Sequence, residues 1–112
     1  MTLSEEKNGK VIILGLSGKL DIEGGKLLEE RITQILKGGE RYILLDFTNI
    51  AYINSSGLRG LLLVAKQVAG CGGMLILAEM SEPNQKVLAI SGLTSIFTLR
   101  PTIAEALGSF PQ

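Results

Sequence analysis

The stretch YINSSGLRGLLLVAKQV, residues 52–68, sets two adjacent hydroxyls and a glycine at the mouth of an amphipathic helix. Asn54, Ser55 and Ser56 are capping residue types, since a side-chain oxygen there accepts an N–H that the first turn leaves without an intrahelical partner. Beyond them Leu58, Leu61, Leu62, Ala65, Val68 and Ala69 recur along one helical stripe, which is expected to face the core. Ser55, Ser56, Arg59, Leu63 and Lys66 project together on the other side, with Leu63 the one apolar member. Just upstream, RYILLDF (residues 41–47) is short and nearly all apolar, as expected of a parallel strand covered on both faces. A buried strand feeding a capped helix implies an α/β layer structure.

The rest of the chain extends that pattern. Residues 2–7 read as an edge strand, Asn8-Gly9 as a two-residue hairpin turn and VIILGLSGKLD as the returning strand. Leu28, Ile32, Ile35 and Leu36 recur at helical spacing between Lys26 and Lys37, and Gly38-Gly39 ends that helix. Residues 21–25, with Gly24-Gly25, read as a loop able to move. MLILA is a further buried strand, Ser81 and Pro83 open a third helix that runs to Gly92, and SIFTL is a last short strand. Pro101 fits the first turn of a closing helix, PTIAEAL, and GSFPQ reads as a frayed tail.

Composition narrows the chemistry. A chain of 112 residues suits one domain, and eleven basic residues balance eleven acidic ones. No net field draws in a phosphate backbone or an anionic membrane surface, so neither nucleic acid nor direct membrane insertion is expected. The N-terminus has no cationic region followed by an apolar stretch, and a cytoplasmic protein is expected. Histidine is absent, so a serine nucleophile lacks its usual base, and Cys71 is the only cysteine, which removes internal disulfides and thiolate metal sites. GLSGKL has Ile13 where a phosphate-binding loop needs its first glycine and Leu20 where it needs Ser or Thr. Gly70, Gly72 and Gly73 follow a helix and meet Leu75 where a dinucleotide fingerprint needs its third glycine. Asp21, Glu23 and Asp46 have no metal-ligand spacing. No catalytic residue, cofactor or metal is expected.

The apolar strand, Asp46, a turn and YINSSGLRGLL resemble the signature of the STAS domain of bacterial anti-sigma factor antagonists, also called anti-anti-sigma factors. LSGKLD (residues 16–21) is similar to that family's strand-ending Gly-x-Leu-Asp, and VLAISGLTSIF (residues 87–97) to its third helix and following strand. The resemblance implies a STAS-type α/β fold over residues 1–108: a mixed sheet of four or five strands with an N-terminal antiparallel hairpin and alternating helices and strands, followed by a tail at 109–112. It also implies that Ser55 is phosphorylated by a partner anti-sigma factor serine kinase. Unmodified protein would bind that kinase and release the sigma factor, phosphorylation would cancel binding, and a serine phosphatase would reset the switch. The partner surface is expected around Asp21, Asn54, Ser55, Ser56, Gly57, Arg59, Leu63 and Lys66, on a monomer or weak dimer that is no enzyme itself. Asp21 is the acidic contact for a basic partner, or else a cap for the following helix. Asn54 stands where the family often has Asp, and its neutral amide removes a repulsion that a phosphate would meet. Similar domains also act as scaffold subunits of stress-sensing complexes or as cytosolic subunits of membrane transport systems, which is the alternative.

Overall fold

The structure, a computed structural model, describes residues 1–111. Along the chain run β1 (Thr2–Asn8), β2 (Val11–Leu20), α1 (Ile22–Lys37), β3 (Tyr42–Ile53), α2 (Ser55–Gly70), β4 (Met74–Ala78), α3 (Glu82–Ile90), β5 (Thr98–Arg100) and α4 (Ile103–Gly108). The strands form one five-stranded sheet in the order β1-β2-β3-β4-β5. β1 is antiparallel to β2, and every later pair is parallel. This is the mixed sheet with an N-terminal hairpin that the sequence implies.

Three parallel crossovers that step the same way across a sheet, each right-handed, carry their helices to one face. Accordingly α1, α2 and α3 share a core with Ile12, Leu14, Leu16, Ile43, Leu45, Phe47 and Leu77. The alternate strand residues Val11, Ile13, Leu44, Ile76 and Ala78 point to the other face, where Ala106 of α4 and Phe110 cover them. Period-two alternation therefore carries apolar side chains to both faces of β2, β3 and β4. Burying each such leucine or isoleucine contributes about 1.5–3 kcal/mol.

Several boundaries differ from the sequence reading. The hairpin turn is Gly9-Lys10, because Asn8 pairs with Val11 as the last residue of β1, and Gly9 takes φ +60 at the first turn position. β3 runs on to Ile53 instead of ending at Phe47. Two register shifts against β2 accommodate the extra length, and Asp46 bridges the first by accepting the Thr48 N–H at 2.9 Å. α1 starts at Ile22, so residues 21–25 are a capped helical turn and not a loop. The buried face of α2 includes Val64 and leaves Ala69 exposed, because α2 packs on α1 as well as on the sheet, with Gln67 Nε2 donating to Thr33 Oγ1 at 2.7 Å. β5 is only Thr98–Arg100, and Pro101 precedes the Thr102 cap of α4 instead of entering its first turn.

The expectation of a frayed end fails at Phe110. The residue is 3% exposed and its ring centroid lies 5.8 Å from that of Tyr42, so the chain folds back over the second face at Phe110, while Gln112 lies outside the described residues. Phe110→Ala should lower the unfolding free energy by about 3 kcal/mol, read as a clear drop in melting temperature. An unchanged melting temperature would mean that this segment is frayed after all.

Candidate functional site

The site is built where two neighbouring parallel strands end together. Leu20 of β2 pairs with Ile53 of β3, and each strand passes at the next residue into a helix cap. Asp21 Oδ1 accepts the Gly24 N–H at 2.9 Å, and Asn54 Oδ1 accepts the Gly57 N–H at 2.9 Å. Both helices thus open on the same Asx-x-x-Gly device, set side by side at the carboxyl edge of the sheet, where α/β folds place their sites. Asp21 has taken the capping role that the sequence left open beside that of partner contact.

Glycines let the two helix starts meet backbone to backbone. The Asn54 N–H donates to the Leu20 carbonyl at 3.2 Å, and the same carbonyl lies so close over Gly57 that a methyl group there would overlap it. A Cβ on Gly60 would stand 2.8 Å from the Gly25 Cα, and one on Gly24 would stand 2.6 Å from the Lys19 carbonyl oxygen. Real Cβ atoms do not approach this closely, and backbone atoms cannot rotate aside as side chains do. The first turn of α2 is therefore held against the end of β2 and the first turn of α1.

The outer face of that turn is open. Ser55 and Ser56 are the first two residues of α2, and both are exposed, as are Asn54, Arg59 and Lys66. Their own N–H groups precede the reach of intrahelical bonding, and Asn54 satisfies only that of Gly57. Leu63 is 44% exposed between Arg59 and Lys66, on the face that the helical projection gives it. Gly57 is buried in the crossing, so of the expected surface residues it acts through backbone position alone. One contributor escapes the sequence reading: Ile22 follows its cap as Ser55 follows Asn54 and is 56% exposed. Tyr52, next to the core residue Ile53, alternates to the opposite face of the sheet, where Lys19 Nζ lies 5.9 Å from its ring centroid. The repeated Asx-x-x-Gly spacing at residues 21–24 and 54–57 was the signal that could have found Ile22. The outer side of this helix start thus combines hydroxyls, cations and exposed apolar groups, suited to docking.

The STAS domain family pattern matches residues 3–106. A protein of Bordetella bronchiseptica named "putative anti-sigma factor antagonist BtrV" is 34% identical over 110 residues, covering 98% of this chain and 95% of its own. The crystal structure of a Thermotoga maritima protein named a "putative anti-sigma factor antagonist" superposes with a TM-score of 0.87 at 25% identity, over 95% of this chain and 92% of that one. SpoIIAA shares the fold in its unphosphorylated form, with a TM-score of 0.77 at 24% identity over 95% of this chain and 93% of that one. In its phosphorylated form the TM-score is 0.72 at 23% identity, over 96% and 97%. The chain belongs to the STAS domain family.

The crossing predicts opposite effects for two glycines of the same helix. Gly57→Ala should destabilise the protein by well over 2 kcal/mol, as overpacking against fixed backbone does. Gly70 has nothing within 4 Å of an added Cβ, so Gly70→Ala should stabilise by about 0.5–1 kcal/mol. Chemical denaturation of both variants checks this, and equal behaviour would contradict the crossing.

Proposed function

We propose that the protein is an anti-sigma factor antagonist whose binding of an anti-sigma factor serine kinase is switched off by phosphorylation of Ser55. The observation that carries this reading is the hydroxyl of Ser55, exposed at the first position of a helix whose backbone Gly57 clamps from beneath. A kinase needs an accessible hydroxyl, and a switch needs a site that accepts charge without unfolding. Ser55 Oγ would attack the γ-phosphorus of kinase-bound ATP, the new O–P bond forming as the bond to ADP breaks, with the hydroxyl proton passing to a base of the kinase. The partner surface comprises Ile22, Ser55, Ser56, Arg59, Leu63 and Lys66, with Asn54 and Asp21 fixing the two helix starts. The name of the Bordetella relative supports the antagonist role.

The sign of the switch follows from magnitudes. A phosphoserine brings about −1.5 to −2 charges at neutral pH. The helix start stabilises such charge by roughly 0.3–1 kcal/mol, so the free protein keeps its fold. Within a closed interface an unmatched or repelled phosphate costs several kcal/mol, so the complex dissociates. The phosphorylated form of SpoIIAA has this same fold, which supports a switch that leaves the domain standing. The protein then acts by occupying its partner, with no reaction of its own.

Incubation with candidate anti-sigma factor kinases and ATP, followed by tandem mass spectrometry, tests the site. Phosphate is expected on Ser55; phosphate on Ser56 alone would overturn the assignment, and no phosphate with a kinase that binds the chain would favour a scaffold role. Ser55→Ala should bind and resist modification, while Ser55→Asp should be folded and bind more weakly. Leu63→Glu should weaken kinase binding by about tenfold or more with an unchanged melting temperature. Unchanged affinity would remove Leu63 from the interface.

A further inference from the structure

We propose that Arg59 is the internal counter-ion of phosphorylated Ser55, so that phosphorylation withdraws a partner-facing cation in addition to adding negative charge. This rests on the reading of Ser55 as the phosphoacceptor. Arg59 follows Ser55 by four residues in α2, and both are exposed on the same side. Side chains at that spacing are neighbours, with Cβ atoms roughly 5–6 Å apart. Cα–Cβ bonds tilt toward the helix N-terminus, so a long side chain at 59 leans back over the turn that Ser55 begins. An acidic group placed N-terminal to a basic one is also the favourable order for such a pair.

Arg59 is free to respond. Among the described residues it makes no ion pair and no side-chain hydrogen bond, whereas Arg31 holds Glu5 and Lys7 holds Glu40. No carboxylate in α2 competes for it, since no Asp or Glu occurs between Asp46 and Glu79. The elements that share the core face with α2 carry Lys19 in β2, Asp21, Glu23, Lys26 and Glu29 in and before α1, and Glu82 and Lys86 in α3. Asp21 is engaged with the Gly24 N–H, and Lys19 lies over the Tyr52 ring. A phosphoserine dianion offers three acceptor oxygens, and the guanidinium fork matches two of them at once. In the unmodified protein the same guanidinium stays available beside Leu63 for an acidic group of the kinase. One covalent event then changes the interface twice: it adds the phosphate and it neutralises Arg59.

Phosphoserine incorporated genetically at position 55 of the full chain isolates this pairing from any kinase. The second ionisation of the phosphate is followed by ³¹P NMR in the Arg59 chain and in R59Q, R59K, K66Q and K19Q. Pairing with a cation favours the dianion, so its midpoint should lie lower in the Arg59 chain than in R59Q by about half a pH unit. R59K should recover part of the difference as a point charge, and K66Q should leave the midpoint of the Arg59 chain unchanged. Equal midpoints in the Arg59 chain and R59Q, or a lowering that survives R59Q and disappears in K19Q, would overturn the proposal. Whether a kinase modifies Ser55 is read separately by mass spectrometry, so failure of the pairing and failure of the underlying reading are distinct results.

Discussion

The carbonyl of Leu20 lying over the first turn of α2 is the constraint on which the rest of the site depends. It leaves no room for a Cβ at Gly57, and it receives the Asn54 N–H, so the end of β2 fixes where α2 begins. The approach of Gly25 to Gly60 extends the same contact to α1. Because backbone meets backbone, rotamer changes cannot loosen the crossing. Everything that faces outward from these turns inherits its position from the sheet.

On the proposed function, that rigidity is what lets a small surface act as a switch. A phosphate added to a mobile loop could fold away from the interface, and one added to a loosely held helix could unfold it. On a clamped first turn the added charge stays where a partner must meet it. The free domain supplies unpartnered N–H groups and, one turn on, Arg59; a partner docked over Leu63 would have to desolvate the phosphate. On that reading folding and binding are separated, since the apolar core lies beneath α2 and Ser55 lies on its exposed side.

The layered architecture was legible because its signals are periodic. The apolar runs of β3 and β4 and the spaced leucines of α1 and α2 each repeat over several residues, and the strands come out in the expected order. Boundaries were harder wherever tertiary contact overrode local chemistry. Gly24 and Gly25 suggest a flexible loop, yet they are small because Lys19 and Gly60 crowd them. Thr48 and Asn49 suggest a turn, yet two register shifts keep β3 paired through them. Phe110 lies among turn-forming residues, and only the second face of the sheet supplies a reason for its burial. On α2, the exposure of Ser55 and Leu63 was legible from helical projection, while the exposed Ile22 was hidden by the assumption that α1 starts four residues later.

The central claim is that phosphorylation acts locally on a rigid platform. Comparison of ¹H–¹⁵N NMR spectra of the chain with serine and with encoded phosphoserine at position 55 tests it most directly. Amide shifts should be confined to residues 20–25 and 54–60, with β4, β5 and α4 unmoved. Shifts spread through those distant elements, or loss of spectral dispersion, would contradict the account.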